Sequence, residues 1–130
     1  MSEPTAWGTV QDAAYHLDRA IGKGSNALLL AGADMLPQAR ALLKDAGDFV
    51  QLAHKDVEAL AVKGKKRKEA QAKVLATLTA AATKGSEAAT ALFAEKVTKK
   101  AALAACAALA EAVALEVQAM NGLLALREPA

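Results

Sequence analysis

Apolar residues recur along most of this chain at alternating steps of three and four, the spacing of helices that each bury one face. From Thr5 to about Ala33 the stripe is Val10, Ala14, Leu17, Ile21, Gly24 and Leu28, with Pro4 just ahead of it, where a helix start tolerates proline. Gly32, Ala33 and Asp34 read as a stop and restart, with Asp34 as the next N-cap and Pro37 inside the following first turn. Ala39, Leu42, Leu43, Ala46, Phe49, Val50, Ala53, Val57 and Leu60 carry a second buried face to about Val62. The run Lys63 to Lys68, with Gly64 in it, is the next turn. A third helix runs from about Lys66 through Val74, Leu75, Leu78, Ala81, Ala82, Gly85, Ala88 and Leu92 to about Glu95.

The last stretch, Ala101 to Leu126, is almost wholly apolar. Leu103, Cys106, Ala110, Val113, Val117, Met120 and Leu124 mark a seam that is expected to face the other helices. Leu115 and Leu126 lie off that seam and are expected to form an interaction surface for a second subunit or another partner. A transmembrane segment is not expected: much of the hydrophobicity is alanine, and Glu111, Glu116, Gln118 and Asn121 would lie in hydrocarbon. The pattern predicts an all-α fold, an up-and-down four-helix bundle built from two helical hairpins around an alanine-rich core. It forms one domain over residues 1–130, with helices near 5–33, 36–62, 66–95 and 98–126.

Lys23-Gly24-Ser25 recurs as Lys84-Gly85-Ser86, and the two halves align as copies of one hairpin. A glycine inside a helix costs about 1 kcal/mol relative to alanine. Gly24 and Gly85 are therefore expected on the buried stripe, where a missing side chain lets a neighbouring backbone come close.

Composition narrows the picture. The chain is 54% apolar but only 3% aromatic, so the core is made of Ala, Leu and Val, and no segment has the alternation and aromatic enrichment of a strand. Cys106 is the single cysteine, which precludes an internal disulfide and suits a reducing compartment. Residues 1–10 lack the pattern of a signal peptide, so a cytoplasmic location is expected.

The net charge is +2, but it is unevenly spread: residues 63–100 hold ten bases against three acids. Lys63, Lys65, Lys66, Arg67 and Lys68 are the candidate site for nucleic acid or another anionic surface, because bases at the start of a helix oppose its dipole and do not serve its stability. No aromatic residues interleave with them to stack on bases. The two histidines give a candidate metal site. With a turn near Asp34 and Met35, antiparallel pairing sets His16 beside His54 and Asp12 beside Glu58, and within each helix the partners are one turn apart. Two imidazoles and two carboxylates form a donor set suited to zinc.

Catalytic groupings are scarce. Facing Glu-x-x-His motifs for a di-iron centre are missing, no strand-turn-helix elbow presents a serine, and Gly22-Lys23-Gly24-Ser25 is too short for a phosphate loop. Lys23-Gly24-Ser25 resembles part of the motif of histidine-phosphotransfer domains, which are helical bundles of this size. That family's phosphorylated histidine would fall at Ala20, so the resemblance implies no phosphotransfer here. In size, in alanine content and in Phe93-Ala94-Glu95 within an amphipathic segment, the chain resembles phasins, the helical proteins that coat polyester granules. That resemblance implies a surface coat without catalysis. The function expected overall is a non-catalytic binding bundle, structural or adaptor in role, whose partner is a protein or a second copy of itself. Granule coating, nucleic-acid association through residues 63–68, and zinc binding are the alternatives.

Overall fold

The computed structural model describes residues 6–127, and the side chains of 9–126. The helices are α1 (Ala6–Gly32), α2 (Leu36–Glu58), α3 (Lys65–Leu92) and α4 (Lys99–Arg127). The expected start at Thr5 behind Pro4 lies outside the described residues. The fold is the all-α, two-hairpin bundle the pattern predicts: α1 packs most extensively on α2, and α3 on α4, while the α2 and α3 pair makes the sparsest interface of adjacent helices. Both Lys-Gly-Ser segments run through unbroken helix.

The turns differ in detail from expectation, for local reasons. Asp34 does not cap α2. It adopts a left-handed conformation (φ 62°), with Asp34 N–H bonded to the Ala31 carbonyl and Met35 N–H to that of Leu30, so it closes the C-terminus of α1 in a Schellman arrangement. Met35 is the N-cap of α2, with Pro in the first turn. Gly64, at φ 92°, makes the turn into α3, a conformation that favours glycine. Thr98 caps α4, its Oγ1 accepting from Ala101 N–H at 3.0 Å. Phe93, Ala94 and Glu95 fall after α3 has ended, so they lie in a turn and not in an amphipathic helix.

A helix also leaves its last carbonyls without intrahelical partners. Neighbouring helices supply them here. Gln71 Nε2 donates to the carbonyls of Val57 and Leu60, Arg40 Nε to that of Leu92, and Arg67 Nη2 to that of Leu126.

The interior follows strict heptads. In α1 the fully buried positions are Val10, Ala13, Leu17, Ala20, Ala27 and Ala31, while the expected Ala14, Ile21 and Leu28 are half-buried along one flank. In α4 the expected seam is displaced. The buried positions are Ala105, Leu109, Ala112, Glu116, Ala119, Leu123 and Leu126. Leu103, Val117 and Leu124 are instead 64%, 43% and 53% exposed, Ala110 is exposed, and Cys106, Val113 and Met120 are half-buried. Leu126, expected on an interaction surface, is fully buried, and Leu115 is half-buried. A helix that is apolar almost all round offers several seams of equal period. The one used places alanine at 105, 112 and 119, where close-packed helices leave little room.

The two hairpins repeat in burial. Ala13, Leu17, Ala20, Gly24, Ala27 and Ala31 of α1 correspond to Val74, Leu78, Ala81, Gly85, Ala88 and Leu92 of α3. Ala39, Leu43, Ala46, Val50, Ala53, Val57 and Leu60 correspond to the α4 seam from Ala105 to Leu126, which sets Glu116 against Val50.

Two glycines mark close helix contact. A Cβ on Gly24 would lie 3.0 Å from Val113 Cγ2, so the close neighbour at that position is a side-chain methyl and not the backbone expected, and one on Gly122 would lie 2.7 Å from Val74 Cγ2. Gly85 has nothing within 4 Å, so the close approach expected there does not occur. Gly22 is likewise open. Gly22→Ala should therefore raise stability by about 0.5–1 kcal/mol through helix propensity. Gly122→Ala should lower it by about 1–2 kcal/mol, because a valine methyl has no flexible tail to move aside. Thermal unfolding of the two variants checks this, and equal stabilisation by both would contradict the α3 and α4 packing.

Candidate functional site

The expected sites fare differently. His16 lies on the flank of α1 that faces α2, and its partner there is Asp56: Nδ1 and Oδ2 are 2.6 Å apart, with the Phe49 ring stacked at 6.1 Å. His54 is two residues from Asp56, about 200° round the helix, and so belongs to the other flank of α2. It meets Glu58 of its own helix at 3.7 Å. Asp12 is exposed. Among the described residues, no three His, Cys, Asp or Glu side chains gather as a metal ion would need, so Asp12, His16, His54 and Glu58 do not converge.

The basic turn divides in two. Lys63, Lys65, Lys66 and Lys68 are exposed, but Arg67 is half-buried and holds the Leu126 carbonyl at 2.6 Å, a bond that ties α3 to the end of α4. A base there also suits the negative end of the α4 dipole.

The features that sequence reading missed both belong to α4. One is its outer face, where Leu103, Ala107, Ala110, Ala114, Val117 and Leu124 are exposed and only Glu111, Gln118 and Asn121 interrupt them. By length and composition Lys99–Leu126 would be enough to cross a bilayer, with a mean hydropathy of 1.6 over its most apolar window, of which 28% is buried.

The other is Glu116 on the inner face. It is 3% exposed, and its Oε1 is buried without a hydrogen-bond partner. The core consists of two clusters. One gathers Leu17, Val57, Leu78, Leu123 and Leu126, the other Leu43, Leu92 and Leu109. Between them, at the waist of the bundle, the inward positions are Gly24, Ala46, Ala81, Gly85, Ala112 and Glu116. Such short side chains cannot fill the space between α2 and α3, and a cavity of about 270 Å³ opens there with Glu116 in its wall. Gly47, Gly85 and Ala82 line its sides. Lys44 and Asp48 of α2 are the charged residues lining it besides Glu116, and α3 adds the Ser86 hydroxyl. Nearby, Lys84 bridges α3 to Glu111 of α4 at 3.3 Å and to Glu87 at 3.4 Å, contacts that raise its pKa, the Glu111 hydrogen bond most. The signal in the sequence was a lone acid in the heptad frame of Ala105, Leu109, Ala112 and Leu123.

Comparison with known proteins adds no relative: no family model matches the chain, and no match was found among curated proteins or solved structures.

Burial pushes the Glu116 carboxyl up to about 7. In the unfolded chain it ionises near the ordinary value of about 4.3. Between those pH values the folded protein retains a proton that the unfolded chain has released. This group's contribution to stability therefore falls as pH rises from about 4.3 to about 7 and is level above that, a loss on the order of 3 kcal/mol. Glu116→Val places here the residue that the first hairpin has at Val50. Urea unfolding at pH 5 and pH 8 should show the variant more stable than the parent at pH 8 by about 2–3 kcal/mol, with a smaller gap at pH 5. An equal gap at both pH values would mean that Glu116 is not buried as described.

The two halves of the basic turn make a second contrast. Replacing Lys63, Lys65, Lys66 and Lys68 with glutamine should leave the melting temperature almost unchanged. Arg67→Ala should cost about 1–2 kcal/mol through the freed Leu126 carbonyl. Circular-dichroism melts of both variants decide it.

Proposed function

We propose that this protein is a non-catalytic helical bundle that works by binding through the outer face of α4, and that a second copy of the chain is its first partner. The observation that carries the proposal is the exposed stripe Leu103, Ala110, Val117 and Leu124, which repeats at heptad spacing on a helix whose opposite face is already packed. Contiguous exposed apolar surface of this kind marks interaction sites. The stripe is also nearly symmetric about its middle. Two α4 helices crossing antiparallel about a two-fold axis would set Leu103 of one copy beside Leu124 of the other, and Ala110 beside Val117, as an isologous interface requires.

A surface coat is the second reading, supported by the position of the lysine cluster. The Arg67 bond holds the start of α3, with Lys65, Lys66 and Lys68 around it, against the same end of α4 that exposes Leu124. Bases beside apolar residues suit an anionic lipid or granule surface. The cytoplasmic reading rests on the single cysteine, which is free and half-buried.

Sedimentation velocity over a range of concentrations tests the first reading. The parent should run as a dimer that dissociates on dilution, while Leu103→Glu with Leu124→Glu should be monomeric and equally helical, since both positions face solvent in the single chain. A parent that stays monomeric at the highest attainable concentration, yet floats with anionic vesicles, would replace self-association with the surface-coat reading.

A further inference from the structure

The waist cavity combines features that point to a ligand. Its walls are mostly apolar, with the exposed Lys44, Asp48, Gln51 and Ser86 among them, and they include one carboxyl group that the fold leaves unserved, Glu116, whose Oε1 is buried without a partner. In the corresponding position of the other hairpin the chain has Val50, so the bundle geometry does not call for an acid. A carboxylate without a donor in a low-dielectric site is among the costliest arrangements a core can hold.

The chemistry of the site narrows the occupant. A metal ion would need several converging oxygen or nitrogen donors; besides Glu116 the lining offers Asp48, Gln51 and Ser86, all exposed, and among the described residues no three His, Cys, Asp or Glu side chains gather. An anion is repelled by Glu116. A sugar or polyol would set several of its hydroxyls against the alanine, glycine, valine and leucine that make up most of the wall. A neutral hydrocarbon would fill the space and leave Oε1 without a partner. An ammonium group offers up to three donors and the opposite charge, and a short hydrocarbon attached to it would match the walls. The volume, about 270 Å³, lies at the small end of ligand pockets and suits a molecule of about ten non-hydrogen atoms. Lys44 and Asp48, which also line the cavity, carry opposite signs and leave the approach of a cation nearly neutral.

We propose that the cavity between α2 and α3 is a binding site for a small lipophilic amine, whose ammonium group pairs with Glu116 while its hydrocarbon lies between Gly47, Ala82 and Gly85. The amine binds the ionised carboxylate, so binding below neutral pH expels the proton that burial keeps on Glu116. Affinity therefore falls as pH is lowered.

Isothermal titration of the full chain with 2-phenylethylammonium, and separately with neutral 2-phenylethanol, tests this. The ammonium should bind one to one, at least tenfold more tightly than the alcohol. Its affinity should drop more than tenfold from pH 8 to pH 5.5, and at pH 6 its enthalpy should depend on the buffer because a proton is released. Glu116→Gln should lose the preference for the ammonium and the pH dependence together. Gly85→Leu, which fills the cavity from α3 without touching the carboxyl, should abolish binding of both probes. Absence of binding to the parent, equal affinity for the two probes, or an unchanged pH profile in Glu116→Gln would each overturn the proposal. So would full binding by Gly85→Leu. Sedimentation of the same samples reads self-association independently, so the loss of one reading leaves the other standing.

Discussion

The structure depends on how closely alanine-lined helices can approach. With few aromatic side chains and a buried seam in which every other layer is alanine, the bundle cannot fill a wide interior and must bring its backbones together. Gly24 against Val113 and Gly122 against Val74 are where the approach is closest, a glycine receiving a valine methyl in each case. Both contacts involve α4, which is thereby drawn tightly to α1 and α3. The adjacent pair of α2 and α3 has no such contact, and the space that close packing removes elsewhere persists there as the waist cavity.

Most of the architecture was legible in the sequence because α1, α2 and α3 are amphipathic. Val74, Leu78, Ala81, Ala88 and Leu92 can face only one way, since lysines and threonines occupy much of the other side. The same reasoning failed on α4. There, Leu103 with Val117 and Leu109 with Leu123 lie on seams of equal period, and a period alone does not say which is turned inward. Contacts decide it: Gly122 meets Val74, and Val113 can enter the notch at Gly24, only in one rotation of the helix.

The histidine pairing failed for a finer reason. The level of the two antiparallel helices was right, as His16 with Asp56 and Lys23 with Asp45 show. Being level is not the same as facing, however, and His54 is turned onto the flank of α2 away from α1. Arg67 was likewise visible as part of a basic run, but its task is set by the end of α4, fifty-nine residues away in the chain. A charge that satisfies a distant carbonyl cannot be told from a solvated one until the topology is known.

α4 thus departs on both faces from the ordinary helix of a bundle. It carries a carboxyl group on the side that faces the core and leucines on the side that faces water. Neither feature adds stability to a single chain: burial of Glu116 opposes its ionisation, and exposed leucine gains nothing from folding. The two departures sit on one helix but differ in what would relieve them. The outer stripe is satisfied by apolar area of any rigid partner that follows its heptads, whereas Glu116 is satisfied only by a donor small enough to pass between α2 and α3. Exposed apolar side chains on α1 and α2, such as Leu29 and Leu52, stand singly, whereas α4 combines a heptad stripe on its outer face with a buried acid on its inner one, so the unfinished contacts gather there, one outside the fold and one within it.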